Sequence, residues 1–200
     1  IIVGNRKVAE GSILMDGTPI HTMSVKDRKA MGLGYIPSDR HKNAMISGFS
    51  ITENFLLGYQ KSPQYCKKGF IDYMKLKQDA GKQVEAFEIK TAGVDQEIGQ
   101  LSGGNQQKVI LGKWMAAESS VIIFDEPTKG IDVGSKSEIY VLMRRLASQG
   151  KGVIMVSSEM PELLSVCDTI CVFRDGGIRM TYAVREATEE KILKSSTGEE

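Results

Sequence analysis

Two short stretches carry residue types that do chemistry on phosphates. The first is Leu101-Ser102-Gly103-Gly104, a hydroxyl followed by two residues without side chains. Glycine lets backbone N–H groups approach a ligand closely. Residues 105–117 lack proline and are rich in helix formers, so the turn opens a helix whose free N–H groups and positive dipole end face whatever lies in front. That is a ready phosphate site. The second stretch is Asp125-Glu126, which ends the apolar run 121–124. Four apolar residues rich in β-branching read as a buried parallel strand, and open α/β sheets bind ligands at the carboxyl ends of their strands. There Asp125 suits Mg²⁺, directly or through water, and Glu126 suits orienting an attacking water. A glycine-capped helix followed by an acid-ended strand is the plain structural alternative. The order and spacing of the two halves favour the phosphate chemistry.

The elements that must position these residues follow from pattern. A turn, a short strand and another turn cover 9–17. Ser24 caps a short helix over 24–31. Residues 32–37 form a strand closed by Pro37. Ser50, three residues before Glu53, makes a capping box in front of an apolar stripe. Residues 59–70, with Pro63 and Gly69, read as a loop, and 73–87 as a helix followed by a loop to 100. In 134–148, Ile139, Leu142, Met143 and Leu146 put one apolar helix face against a sheet. Residues 153–156 form the next buried strand and 160–165 a short helix with Pro161 early. Two strands, 169–173 and 178–182, flank the turn Arg174-Asp175-Gly176-Gly177. The tail from 186 is a polar helix that frays by 195. Strands separated by helices imply an α/β layered fold with a mainly parallel sheet.

Composition sets the bounds. Apolar residues make up 41% and charged residues 26% of 200, an ordinary balance for one domain. A formal net charge of +1 gives no electrostatic case for nucleic acid or an anionic membrane. No apolar stretch has the length of a membrane span. The odd count of three cysteines argues for a reducing compartment, the cytoplasm. Cys66, Cys167 and Cys171 read as buried free thiols, since His21 and His41 are too far away in sequence to complete a metal site.

The segment Leu101-Ser102-Gly103-Gly104-Asn105-Gln106-Gln107 resembles the signature motif of ABC transporter ATPases. Residues 121–126 resemble their Walker B strand, and Pro127-Thr128-Lys129-Gly130-Ile131-Asp132 their D-loop. The Asn-Gln-Gln-Lys continuation and Val156-Ser157-Ser158-Glu159-Met160-Pro161-Glu162 resemble the C-terminal half of the fused, two-domain ATPase subunits of ribose- and galactoside-type importers. The resemblance implies a P-loop NTPase-like core with an inserted helical subdomain. The segments are 1–46 (part of the core), 47–100 (helical subdomain) and 101–200 (signature helix, Walker B, D-loop and the rest of the core). It also implies an N-terminal truncation, because the Walker A loop of the family falls before Ile1. The implied cofactors are ATP and Mg²⁺. The implied partners are a second ATPase domain arranged head to tail, membrane-spanning permease subunits reached through 47–100, and indirectly a solute-binding protein. The place is the cytoplasmic face of the membrane. Ser102, Gly103, Gly104 and Gln106 would touch ATP held mainly by the other domain, with Asp132 in the D-loop.

Two positions depart from the family. Ser38 stands where a glutamine reaches metal and water, and Ser158 where a histidine contacts the γ-phosphate. Both weaken this half's own catalytic pocket and leave open a non-catalytic, regulatory reading of the fold. Nearby, Arg40 and Lys42 read as a solvated loop, or as a loop that reports on the membrane subunits. Residues 130–137 nearly spell a P-loop, but Ser135 stands where its second glycine belongs.

Overall fold

The computed structural model describes residues 1–116 and 119–198, in two compact units that divide between Ile154 and Met155.

The first unit opens with a small hairpin, β1 (Leu14–Met15) and β2 (Thr18–Pro19), then α1 (Val25–Ala30). Ser24 caps α1, its hydroxyl accepting from the Asp27 N–H at 3.2 Å. Next come β3 (Leu33–Ile36), α2 (Arg40–Asn43) and α3 (Ile51–Leu56). The Ser50–Glu53 capping box forms in full at the start of α3. Residues expected to be a loop contain a second hairpin, β4 (Cys66–Lys67) and β5 (Phe70–Ile71). Its turn is Lys68-Gly69, with φ of 50° and 86°. Two consecutive left-handed residues are what a tight hairpin turn requires, and the Lys-Gly pair was the available clue. The helices α4 (Tyr73–Ala86) and α5 (Gly103–Ala116) follow. The expected last residue of α5, Ala117, lies outside the described residues. Then come β6 (Val121–Asp125), α6 (Val133–Ser148) and β7 (Gly152–Val156).

The sheet has the order β3-β6-β7, and β7 crosses the unit boundary. β3 and β6 run parallel in the register Leu33↔Val121 to Ile36↔Phe124. Leu33 and Ile123 turn to one face and pack with Met15 and Ile20 of the N-terminal layer. Ile36, Ile122 and Phe124 are fully buried. Ile139, Met143 and Leu146 bury the inner face of α6, as its spacing requires. The helical stretch α3–α4 packs on α5, where Phe55, Leu76 and Ala80 are buried. Of the aromatics of this stretch, Phe55 belongs to the core, Phe49 is exposed, and Tyr59 meets Trp114 edge-on at 6.2 Å.

The second unit contains α7 (Met160–Val166), β8 (Thr169–Arg174), β9 (Gly177–Ala183) and α8 (Glu189–Thr197). β8 and β9 form an antiparallel hairpin closed by Asp175 and Gly176, both at positive φ. Ile170, Val172 and Ile192 make its core. The cysteines are free but not buried as expected: Cys66 and Cys167 are half-buried and Cys171 is exposed. Strand alternation turns Cys171 outward, between the inward Ile170 and Val172.

One buried polar residue holds the approach to α3. Asn54 accepts from the Ile46 N–H at 2.9 Å and donates to the carbonyls of Ile46, Phe49 and Ser50 at 3.0–3.1 Å. Asn54→Ala leaves the Ile46 N–H without its partner, while the three carbonyls keep their backbone donors, and should destabilise the chain by about 1–3 kcal/mol, read as a lower urea midpoint with an unchanged slope.

Candidate functional site

The start of α5 is fixed by its own side chains. Ser102 accepts the Gln106 N–H on its carbonyl at 2.9 Å, and its hydroxyl accepts from the Asn105 side-chain amide at 2.9 Å. Ser102 itself is exposed. Asn105 also accepts the Lys90 N–H at 2.9 Å, which ties the turn to the segment after α4. Gln106 is buried, donates to the Leu101 carbonyl at 3.0 Å, and accepts from Arg40 Nε at 3.2 Å. Its side chain is therefore turned into the protein and holds the turn's shape. Lys108 is buried and reaches Glu138 of α6 at 2.7 Å.

The two glycines have different uses. A Cβ on Gly103 would meet the Arg40 guanidinium at 2.8 Å and the Gly130 carbonyl at 3.5 Å. A Cβ on Gly104 would run into Ser135 of α6 at 2.6 Å. Gly104 is thus required for close helix packing, and Ser102 and Gly103 are the more exposed residues of the turn.

Arg40 is the residue that sequence reasoning placed wrongly. Rather than a solvated side chain, it is half-buried and bridges the start of α5 and the loop after β6, donating to Gln106 and, at 3.1 Å, to the Lys129 carbonyl. The clue was Asp39, which caps α2 by accepting the Lys42 N–H at 3.0 Å and so sets the direction in which Arg40 leaves the backbone.

Asp125 and Glu126 lie at the carboxyl end of β6, and Pro37-Ser38 at the carboxyl end of the parallel neighbour β3. Asp125 Oδ2 accepts from the Tyr35 hydroxyl at 2.9 Å. Burial, then this hydrogen bond and the carboxylate's charge, push the Tyr35 phenol up to about 12. It stays a donor and fixes the carboxylate. Sequence pattern gave no sign of Tyr35, since a strand tyrosine reads as packing. Glu126 has φ of 50°, in the left-handed region that a glutamate enters only at a cost. Asp132 caps α6, accepting the Ser135 N–H at 3.0 Å, and that bond holds its carboxyl below the ordinary range. Residues 130–137 are therefore a capped helix start, with Ser135 against Gly104. Ser158 lies in the second unit, between β7 and α7.

The donor set at β6 fits a cation of the magnesium type. Tyr35 leaves Asp125 Oδ1 for the ion or its water, and such ions take one or two carboxylates and draw the remaining ligands from water and phosphate. No group of three metal-ligating side chains forms among the described residues, so this is no all-protein cage.

A parallel β3–β6 pair with an acid-ended strand, beside a glycine-opened helix, is the architecture of ATP-binding cassettes, and solved cassettes share the fold. An ATP-binding cassette of an ABC transporter, MJ1267, superposes with a TM-score of 0.80 at 20% identity, over 97% of this chain and 79% of its own. A dimeric post-hydrolysis cassette, MJ0796 bound to ADP and Pi, gives 0.70 at 19%, over 92% and 78%. The ABC transporter family model matches residues 1–129, and the chain belongs to that family. It is similar to a ribose import ATP-binding protein, RbsA 1 of Rubrobacter xylanophilus, at 38% identity over 98% of this chain. It is also similar to an arabinose import ATP-binding protein, AraG of Vibrio parahaemolyticus, at 41% over 96%. The chain spans 39% and 38% of those relatives' lengths.

Two substitutions test this geometry. Arg40→Lys should fail to replace Arg40, because one ammonium cannot serve Gln106 and Lys129 together. Faster amide exchange over 101–106 and 128–131 in both Arg40→Lys and Arg40→Ala is the expected readout. Gly104→Ala should destabilise by about 1–3 kcal/mol, and Ser135→Gly in the same chain should recover most of the loss in thermal unfolding.

Proposed function

We propose that this chain is part of the ATP-hydrolysing subunit of an importer for a sugar-type solute. The carrying observation is the exposed Ser102 beside Gly103, at the start of a helix whose inward groups are already engaged by Arg40, Asn105 and Gln106. Such a start offers backbone N–H groups and a hydroxyl to a phosphate without rearrangement. The similarity to ribose and arabinose import ATP-binding proteins supports the sugar-type solute.

In this reading Ser102 and Gly103 face a nucleotide held mainly by a second ATPase domain, placed head to tail. Gln106 and Gly104 shape that edge from the protein side. Asp125 holds Mg²⁺, which neutralises phosphate charge when bound. Glu126 orients water, and Asp132 sets the D-loop. Segment 47–100 is the helical subdomain that meets the permease subunits, and through them a solute-binding protein, at the cytoplasmic face of the membrane. No helix among the described residues is long and apolar enough to cross a membrane.

Ser38 and Ser158 favour an asymmetric subunit. A serine is too short for the reach of glutamine and lacks the imidazole of histidine. This half then supports hydrolysis across the interface more than in its own pocket. A second reading, a regulatory module that binds a partner without turning over ATP, rests on the same two serines.

In the complete subunit with its permease, Ser102→Arg should reduce phosphate release by roughly a hundredfold, and Glu126→Gln by less than about tenfold. Equal or reversed losses refute the asymmetry. No phosphate release from the unsubstituted complex favours the regulatory module.

A further inference from the structure

A cavity of about 380 Å³ opens in the first unit beside β3, the end strand of the sheet. Its walls include Val25, Arg28 and Lys29 of α1, Tyr35 of β3, and Lys113 and Trp114 near the end of α5. Three of these are cations, and among the described residues no carboxylate lines the space.

Each cation is held by uncharged partners. Arg28 is 3% exposed, and its guanidinium donates to the carbonyls of Ile1, Ile2, His21 and Met23 at 2.7–3.1 Å. Lys113 is 7% exposed and donates to the Ala44 carbonyl at 3.0 Å. Lys29, half-buried, donates to the Gly58 carbonyl at 2.9 Å and lies 3.5 Å from the centre of the Tyr59 ring. Both lysines approach the same indole, at 5.2 Å and 5.9 Å from the centre of Trp114. Among the described residues none of the three forms an ion pair. Carbonyl oxygens and ring faces satisfy hydrogen bonds but supply no full countercharge. Buried charge without a countercharge is costly, and like charges close together add to the cost. The Lys113 ammonium registers both effects: burial, then the charge of Lys29, bring it down to about 8.

An anion in the cavity relieves this. The volume lies at the lower end of small-molecule sites, and Val25, Leu33 and Trp114 offer apolar surface beside the cations. We propose that this cavity binds a small organic anion, with its acid group between Lys29 and Lys113 and its apolar body against Trp114 and Val25. Tyr35 lines the cavity and also donates to Asp125. The site therefore shares one residue with the strand end that carries the candidate carboxylates.

The chain has a single tryptophan, and it is in the cavity wall. Its fluorescence is a site-specific reporter. Titrating the 200-residue chain with benzoate, its neutral isostere benzamide, and inorganic phosphate separates charge from shape. Benzoate should change Trp114 emission saturably and bind at least tenfold more tightly than benzamide. Lys113→Met and the half-buried Lys29→Gln, the milder change for the fold, should each weaken benzoate at least tenfold and leave benzamide unchanged. Ser102→Arg should leave benzoate binding unaltered, so this outcome stands or falls apart from the nucleotide reading. Phosphate binding as tightly as benzoate refutes the apolar half of the proposal. Equal affinity for benzoate and benzamide, no saturable change with either at millimolar concentration, or benzoate binding retained in folded Lys29→Gln overturns it.

Discussion

The bridge from Arg40 to Gln106 and to the Lys129 carbonyl is the contact on which the site's geometry depends. It crosses three segments far apart in sequence: the loop after β3, the first turn of α5 and the loop after β6. A guanidinium can do this because its donors are fixed in one plane and point in several directions. Gly103 has no side chain because the guanidinium lies where a Cβ would go. Gly104 has none because α6 lies there. The small residues of the turn thus answer first to packing, and the surface left to a ligand is what packing does not use.

The same economy runs through the start of α5. Asn105 reaches toward the segment after α4, Gln106 toward the loop after β3, and Lys108 toward α6. Polar contacts within about one helical turn therefore tie the start of this helix to three neighbouring segments of the first unit. A rigid body of this kind suits a site whose ligand is held partly from elsewhere, because its own edge does not need to be ordered on binding.

Much of this was legible in the residues. The β-branched run before Asp125 gave β6, the spacing of Ile139, Met143 and Leu146 gave the inner face of α6, and Ser50 with Glu53 gave a capping box bond for bond. These signals are local, and local geometry enforces them. Arg40 and Tyr35 were illegible for the opposite reason. Their partners lie 66 to 90 positions away, and no spacing rule connects an arginine in one short helix to a glutamine in another. The cysteines were misplaced because burial was inferred from residue type, whereas strand alternation decided Cys171.

Glu126 carries a consequence of another kind. Its left-handed backbone is a conformation that glycine or asparagine adopts at little cost and glutamate does not. A lineage drifting under selection for folding alone would exchange it for one of those residues and gain stability. Lys68 and Glu88 bear the same backbone cost, and what sets Glu126 apart is that the strain sits directly after the acid-ended strand β6. Replacing Glu126 alters two quantities together, the chemistry of the carboxylate and the strain beneath it, and a comparison of Gly, Asn and Gln at this one position would separate the two.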